Sequence, residues 1–180
     1  MDAGDASATR VRSFPPGTVV WPMNGHGYLL VTQAKSLTWD TARTAAQSKG
    51  GHLVTITSVE ENDFVYSLVG TVDAAYSNNG VGDIGPWLGG YQPDGSAEPA
   101  GGWTWVTGEP FVYSEWAHCL DDTCAQPDND GPGGIAENYL SYYSNWNGSG
   151  SPPAPGTNRG PFFNDTYLNS PIVAYVVEFE

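Results

Sequence analysis

Basic residues are scarce in this chain of 180 residues, where six Lys and Arg stand against 20 Asp and Glu and the formal net charge is −14. Nucleic acid and anionic membrane surfaces are gripped through positive charge, so neither is expected as a partner. Methionine is limited to two residues, and with so few cations long basic helices are excluded. No apolar stretch is long enough for a signal peptide or a membrane-inserting helix. Cysteine is limited to Cys119 and Cys124. A metal or redox role would want more ligands or a tighter spacing, whereas a disulfide would close a small ring around Leu120-Asp121-Asp122-Thr123. The disulfide is the preferred reading, and it points to an oxidising compartment.

What the chain has in quantity is glycine (23), proline (14) and aromatic side chains (7 Trp, 10 Tyr and 6 Phe). That composition predicts a loop-rich fold with a core stacked from rings. The length suits one domain. Residues 1–18, small and polar and closing on Phe14-Pro15-Pro16-Gly17, read as a linker or trimmed end, and 19–180 as the domain.

Local patterns then give the elements. Val19-Val20-Trp21 and Tyr28–Val31 read as strands around an Asn24–Gly27 turn. Ser36 or Thr38 can cap a helix whose stripe is Leu37, Ala42, Ala45 and Ala46 and which stops at Gly50-Gly51. His52–Ile56 reads as a strand, and Ser58 with Glu61 as a capping box for a second helix reaching about Val69. Residues 71–86 look turn-like. Strands are expected from Trp87-Leu88-Gly89-Gly90, through Trp103–Val106 and Tyr139–Tyr143, and in the apolar segment 171–180. The order suggests an α+β fold. Little regular structure is expected elsewhere between 109 and 161; a stretch of that length in a compact domain is either functional or a sign of misassigned elements, and its polar oxygens argue for function.

Three polar patches stand out in the second half: Gln126-Pro127-Asp128-Asn129, Glu137-Asn138 and Asn164-Asp165. A hard cation such as calcium takes six to eight oxygen ligands, and carboxylates with side-chain amides supply them without regular secondary structure. The three patches are therefore expected to converge on one calcium ion. A cis Gln126–Pro127 bond would turn Gln126 and Asp128 to the same side.

The ordered set Trp39–Arg43, Gly50–Ile56, Glu60-Glu61-Asn62, Trp87-Leu88-Gly89, Trp105, Trp116, Gln126-Pro127-Asp128, Glu137-Asn138, Asn164-Asp165 and Val177-Glu178-Phe179 resembles a C-type lectin domain over roughly residues 20–180. The resemblance implies two helices flanking small antiparallel sheets, with a long calcium-binding loop region. It also implies that Gln126, Asp128, Glu137, Asn164 and Asp165 hold both calcium and sugar, and that Asp94, Glu98 and Asp130, with Glu137, provide an auxiliary calcium site. In the family Gln-Pro-Asp accompanies galactose-type sugars and Glu-Pro-Asn mannose-like ones, so a galactose-containing glycan is the implied partner, bound by a secreted or cell-surface recognition module. The family's core cysteines are replaced here by Ala46, Val177 and Tyr139 and near Leu168, which resembles bacterial members. Phe163 stands where the family has Trp. The Trp that similar galactose binders place after the motif is missing, with Trp146, Tyr142 and Tyr143 as candidate substitutes.

Plainer readings apply to other features. Gln92-Pro93-Asp94 repeats the motif without acidic mates and reads mainly as a turn. Asp121 and Asp122 read as solvated. His26, His52 and His118 fall at no metal-ligand spacing, and Trp39, Trp87, Trp103, Trp105 and Trp116 read as packing. Asn147 and Asn164 head glycosylation patterns, but the second would block a ligand. No nucleophile or acid–base pattern suggests an enzyme. The alternative to sugar binding is a protein-binding, ice-binding or structural domain of the same family. Oligomeric state is not legible.

Overall fold

A computed structural model describes residues 13–80, 82–118, 125–144 and 156–180. The elements are β1 (Val19–Val20), β2 (Gly27–Thr32), α1 (Trp39–Ser48), β3 (His52–Leu53), α2 (Val59–Val69), a short 3-10 turn (Asp73–Ala75), β4 (Ser77–Asn78), β5 (Asp83–Tyr91), β6 (Thr104–Trp105), β7 (Tyr139–Ser144), β8 (Arg159–Thr166) and β9 (Ala174–Phe179). Two helices and one strand network make the fold α+β. The strands run in the order β1-β2-β9-β5-β7-β8, with β3 on β9 and β4 and β6 on β5. Pairing is antiparallel except for a parallel Trp87–Tyr175 contact of β5 with β9. The C-terminal strand thus lies inside the network, between β2 and β5, and all six of its residues are buried.

Both helices begin where the sequence places them. The Thr38 side chain accepts the Thr41 N–H at 3.2 Å, Asp40 adds an acid to the first turn of α1, and Trp39, Ala42 and Ala46 face inward at helical spacing. The helix stops at Lys49, and Gly50 follows at φ 85°, a conformation that favours glycine. Ala46 and Val177 share one fully buried apolar cluster, against which Tyr139 and Leu168 pack. The Trp39 indole donates to the Leu88 carbonyl at 2.8 Å and the Trp87 indole to the Leu37 carbonyl at 2.9 Å, tying α1 and its approach to β5.

In α2, Ser58 caps as expected, accepting the Glu61 N–H at 3.2 Å. The reciprocal half of the capping box does not form, because the Glu61 carboxylate is turned inward. Its Oε2 accepts from the Thr57 N–H, and its Oε1 from the Tyr28 hydroxyl at 2.6 Å. The same hydroxyl lies 3.1 Å from Glu178, whose carboxylate also accepts from the Thr55 N–H and pairs with His26 Nδ1 at 2.8 Å. Glu61 and Glu178 are both buried, so this network locks α2 to β2 and β9. Burial pushes both the Glu178 carboxyl and the Tyr28 phenol above their ordinary values.

Two sequence expectations change. The turn-like stretch 71–86 already contains β4 and the start of β5, and 159–166 forms the strand β8, which local pattern did not predict. β8 pairs with β7 from Tyr139–Thr166 to Tyr143–Phe162. Its outer side is covered by the long loop: Phe163 N–H donates to the Glu115 carbonyl at 2.6 Å and Ala117 N–H to the Phe163 carbonyl at 2.8 Å. Phe163, fully buried, packs its ring against Trp105, Tyr113, Trp116 and Tyr142. Trp39, Trp87, Trp103 and Trp105 are core residues, and Trp116 packs on the core half-buried.

Candidate metal centre

The loop that β8 anchors carries the first acidic patch. Gln126 N–H donates to the Ala117 carbonyl at 2.8 Å, and the Gln126–Pro127 bond is cis. Asp165, at the end of β8 and 1% exposed, accepts the N–H groups of Asp128 (3.0 Å) and Asn129 (2.8 Å) on Oδ2. Asn129 adopts φ 52°, a left-handed conformation that asparagine tolerates, and its side chain accepts the Glu137 N–H at 2.8 Å. Three patches distant in sequence are thereby tied together by their own hydrogen bonds.

The result is a cluster in which Asp128, Glu137 and Asp165 each offer an oxygen within 4.8 Å of the other two. Among the described residues no Lys or Arg pairs with any of the three. Burial raises the Glu137 carboxyl to about 8, helped by the charges of Asp165 and Asp128. Burial likewise raises Asp165 to about 7, with Asp128 adding to it and the Asn129 and Asp128 N–H groups opposing it. Gln126 donates from Nε2 to Asp128 at 3.1 Å, while Gln126 Oε1 and Asp165 Oδ1 are buried with no hydrogen-bond partner. Asn164 is buried and donates from Nδ2 to the Asp165 main-chain carbonyl. It lines the same cleft as Gln126, Asp128, Asp130 and Glu137. A buried carbonyl-type oxygen and a buried carboxylate oxygen without donors, beside two further carboxylates, form a donor set that fits a hard divalent cation such as calcium.

The other expected residues separate into groups. Asp94 and Glu98 are exposed on the loop after β5 and fall outside the carboxylate cluster, while Asp130 is exposed and borders the cleft. Gln92 is buried with Nε2 donating to Gly101 at 2.6 Å, and Ser96 N–H closes a turn on the Pro93 carbonyl, so the Gln92-Pro93-Asp94 copy is built into a turn. Cys119, Cys124, Asp121, Asp122, Trp146 and Asn147 lie outside the described residues. Tyr142 is fully buried in the core and unavailable to a ligand, whereas Tyr143 lines the cleft. Buried Asn164 is closed to glycosylation. Of the histidines, His26 and His52 both face Glu178, a meeting their sequence spacing does not foretell.

An α+β fold that gathers acidic loops at the rim of an open cleft defines a lectin-like binding domain. Residues 35–151 match the Lectin C-type domain, and the chain belongs to that family. Lithostathine from Bos taurus is 36% identical over 106 residues, which cover 58% of this chain and 54% of lithostathine. A type-2 ice-structuring protein from Brachyopsis segaliensis is 29% identical over 111 residues, covering 59% and 55%. The chain thus spans about half the length of these relatives. Among solved structures, the cow C-type carbohydrate-recognition domain of CD23, studied with a GlcNAc2Man3 oligosaccharide, superposes with TM-score 0.58 at 23% identity, covering 92% of this chain and 95% of that one. A calcium-independent type II antifreeze protein superposes with TM-score 0.53 at 22% identity, covering 92% and 93%. These likenesses establish the fold. Among the described residues no helix is long and apolar enough to cross a membrane.

Proposed function

We propose that residues 19–180 form a calcium-dependent carbohydrate-binding module for galactose-type sugars, preceded by a lead-in at 1–18 and belonging to a secreted or cell-surface protein. The observation that carries the reading is the convergence of Asp128, Glu137 and Asp165, with buried Gln126 Oε1 and Asp165 Oδ1 lacking partners. Gln126, Asp128, Glu137, Asn164 and Asp165 would hold the ion. Bound calcium supplies open coordination positions for two vicinal sugar hydroxyls. The chain's own residues decide which hydroxyls fit. Gln126 brings an amide that donates, Asp128 a carboxylate that only accepts, and their order along the motif fixes which side of the sugar meets donors and which meets acceptors. The reading is one of binding, with no catalytic step assigned.

A second reading has its own support in the type-2 ice-structuring relative and in the lack of a Trp after Gln126-Pro127-Asp128-Asn129. On that reading the domain binds a protein or ice, or is structural. A glycan array probed in calcium and again in EDTA separates the two. The proposal expects galactoside signals that vanish with EDTA, and an array blank in both conditions would reject it.

A further inference from the structure

Resting on the galactose-type reading, we propose that the cleft takes two linked neutral sugar rings and that Tyr143 is the residue that selects for the second. The cleft has a volume of about 380 Å³, and the cation cluster occupies only one part of its wall. Pockets of about 300–1,000 Å³ hold drug-sized ligands, which are much larger than a single hexose. Beyond the cluster the wall includes Tyr143 at the end of β7 and Tyr167 just after β8, together with Ile84, Pro132, Pro171 and His118. The Ser144, Thr166 and Ser170 hydroxyls on that side are 1% exposed and bonded internally, Ser144 to the Asp83 N–H and Thr166 to Ser170, so a ligand meets mainly rings and apolar side chains. Those match the C–H face of a neutral sugar, and the adjoining carboxylates disfavour an anionic one.

The sheet register places Tyr143 for this role. Ser141 faces Asn164 and Tyr143 faces Phe162, so Tyr143 lies two residues along β7 and on the same face as the Ser141–Asn164 pair. That is about 7 Å from it along the strand. Tyr143 lines the cleft together with Asp128 and Glu137, so the phenol lies beside the cluster. A side chain at Gly82 would come within 3.2 Å of the phenol Cζ and hydroxyl, and glycine there leaves the ring its place. An aromatic ring with one polar end suits a sugar, whose C–H face is apolar and whose edge carries hydroxyls.

Titration calorimetry in saturating calcium tests this with methyl β-galactoside and with β-galactosyl-glucose. The expected result is about tenfold tighter binding of the disaccharide, the worth of one aromatic contact. Tyr143→Ala should remove that preference while leaving calcium affinity unchanged, and Tyr143→Phe should keep it. Tyr143→Leu, which retains apolar volume without a ring, serves in place of Ala if the smaller residue prevents folding. Equal affinities in the unmodified protein, or a disaccharide preference that survives loss of the ring, would overturn the inference alone. Failure of both sugars to bind in calcium would remove the underlying function with it.

Discussion

Asp165 shows how single residues divide their work in this domain. One carboxylate oxygen fixes the backbone of Asp128 and Asn129, and the other is left buried without a donor. Asp128 is exposed and carries little of the fold, so Asp128→Asn is expected to weaken calcium by about 10- to 100-fold, the value of one charged interaction, with an unchanged circular dichroism spectrum. Retained calcium affinity in calorimetry would remove Asp128 from the ligand set. Gln126→Glu combined with Asp128→Asn reverses donor and acceptor along the motif. It should move preference toward mannose-like sugars on the same array, and a persisting galactoside preference would place selectivity elsewhere. The acidic patches were legible in the sequence because carboxylates and amides announce cation chemistry by type. The choice between Tyr142 and Tyr143 was not. Adjacent strand residues face opposite ways, and only the pairing of β7 with β8 decides which one enters the core.

Elements were legible where their cause is local. Thr38 and Ser58 cap helices through side chains three residues from their partners, so α1 and α2 could be placed to within a residue or two. β8 was hidden because Gly160, Pro161, Asn164 and Asp165 break any apolar alternation, and its strand form depends on pairing with β7 and on loop residues 115–117. Glu178 was similarly opaque: an acid set between Val177 and Phe179, it finds Tyr28, Thr55 and His26 only in the folded chain. The Trp87-Leu88-Gly89 signature has a local packing reason. A Cβ on Gly89 would lie 2.5 Å from the Leu53 carbonyl and 2.7 Å from the Val54 carbonyl, where β3 and its extension cross β5. Gly89→Ala is therefore expected to cost about 1–3 kcal/mol as an overpacking substitution, read from urea unfolding. A stability change within about 0.5 kcal/mol, usual for an unconstrained surface position, would show that the crossing is looser than these distances require.

At the scale of the whole molecule, a net charge of −14 includes a cluster that gathers three carboxylates within 4.8 Å of one another. A cation that binds only the native state stabilises by mass action. At a hundredfold excess over its Kd the gain is about 2.7 kcal/mol, or about 5–10 °C in Tm for a domain of this size. EDTA should reverse it, and coincident melts would contradict the site. The raised carboxyls set the pH course. Glu137 at about 8 and Asp165 at about 7 lie above their ordinary values of 4.5 and 3.8, so without the ion the folded state holds protons more tightly than the unfolded chain. That contribution is full below about pH 4 and is lost as pH rises through 7 and 8. Calcium requires the deprotonated ligands, so the Tm difference between calcium and EDTA should widen from pH 5.5 to pH 8.5. A difference that is flat or narrows over that range would deny the coupling.

The position of β9 between β2 and β5 also bears on how the domain is made. His26 meets Glu178 across 152 residues of chain, and β2 has no inner neighbour until that last strand arrives. On a ribosome, the helices can form as they emerge, but the sheet must wait with its central slot vacant until nearly all of the domain has been translated. The sheet is therefore completed late in the synthesis of the domain, and losing β9 would remove the strand that, among the described residues, pairs with both β2 and β5.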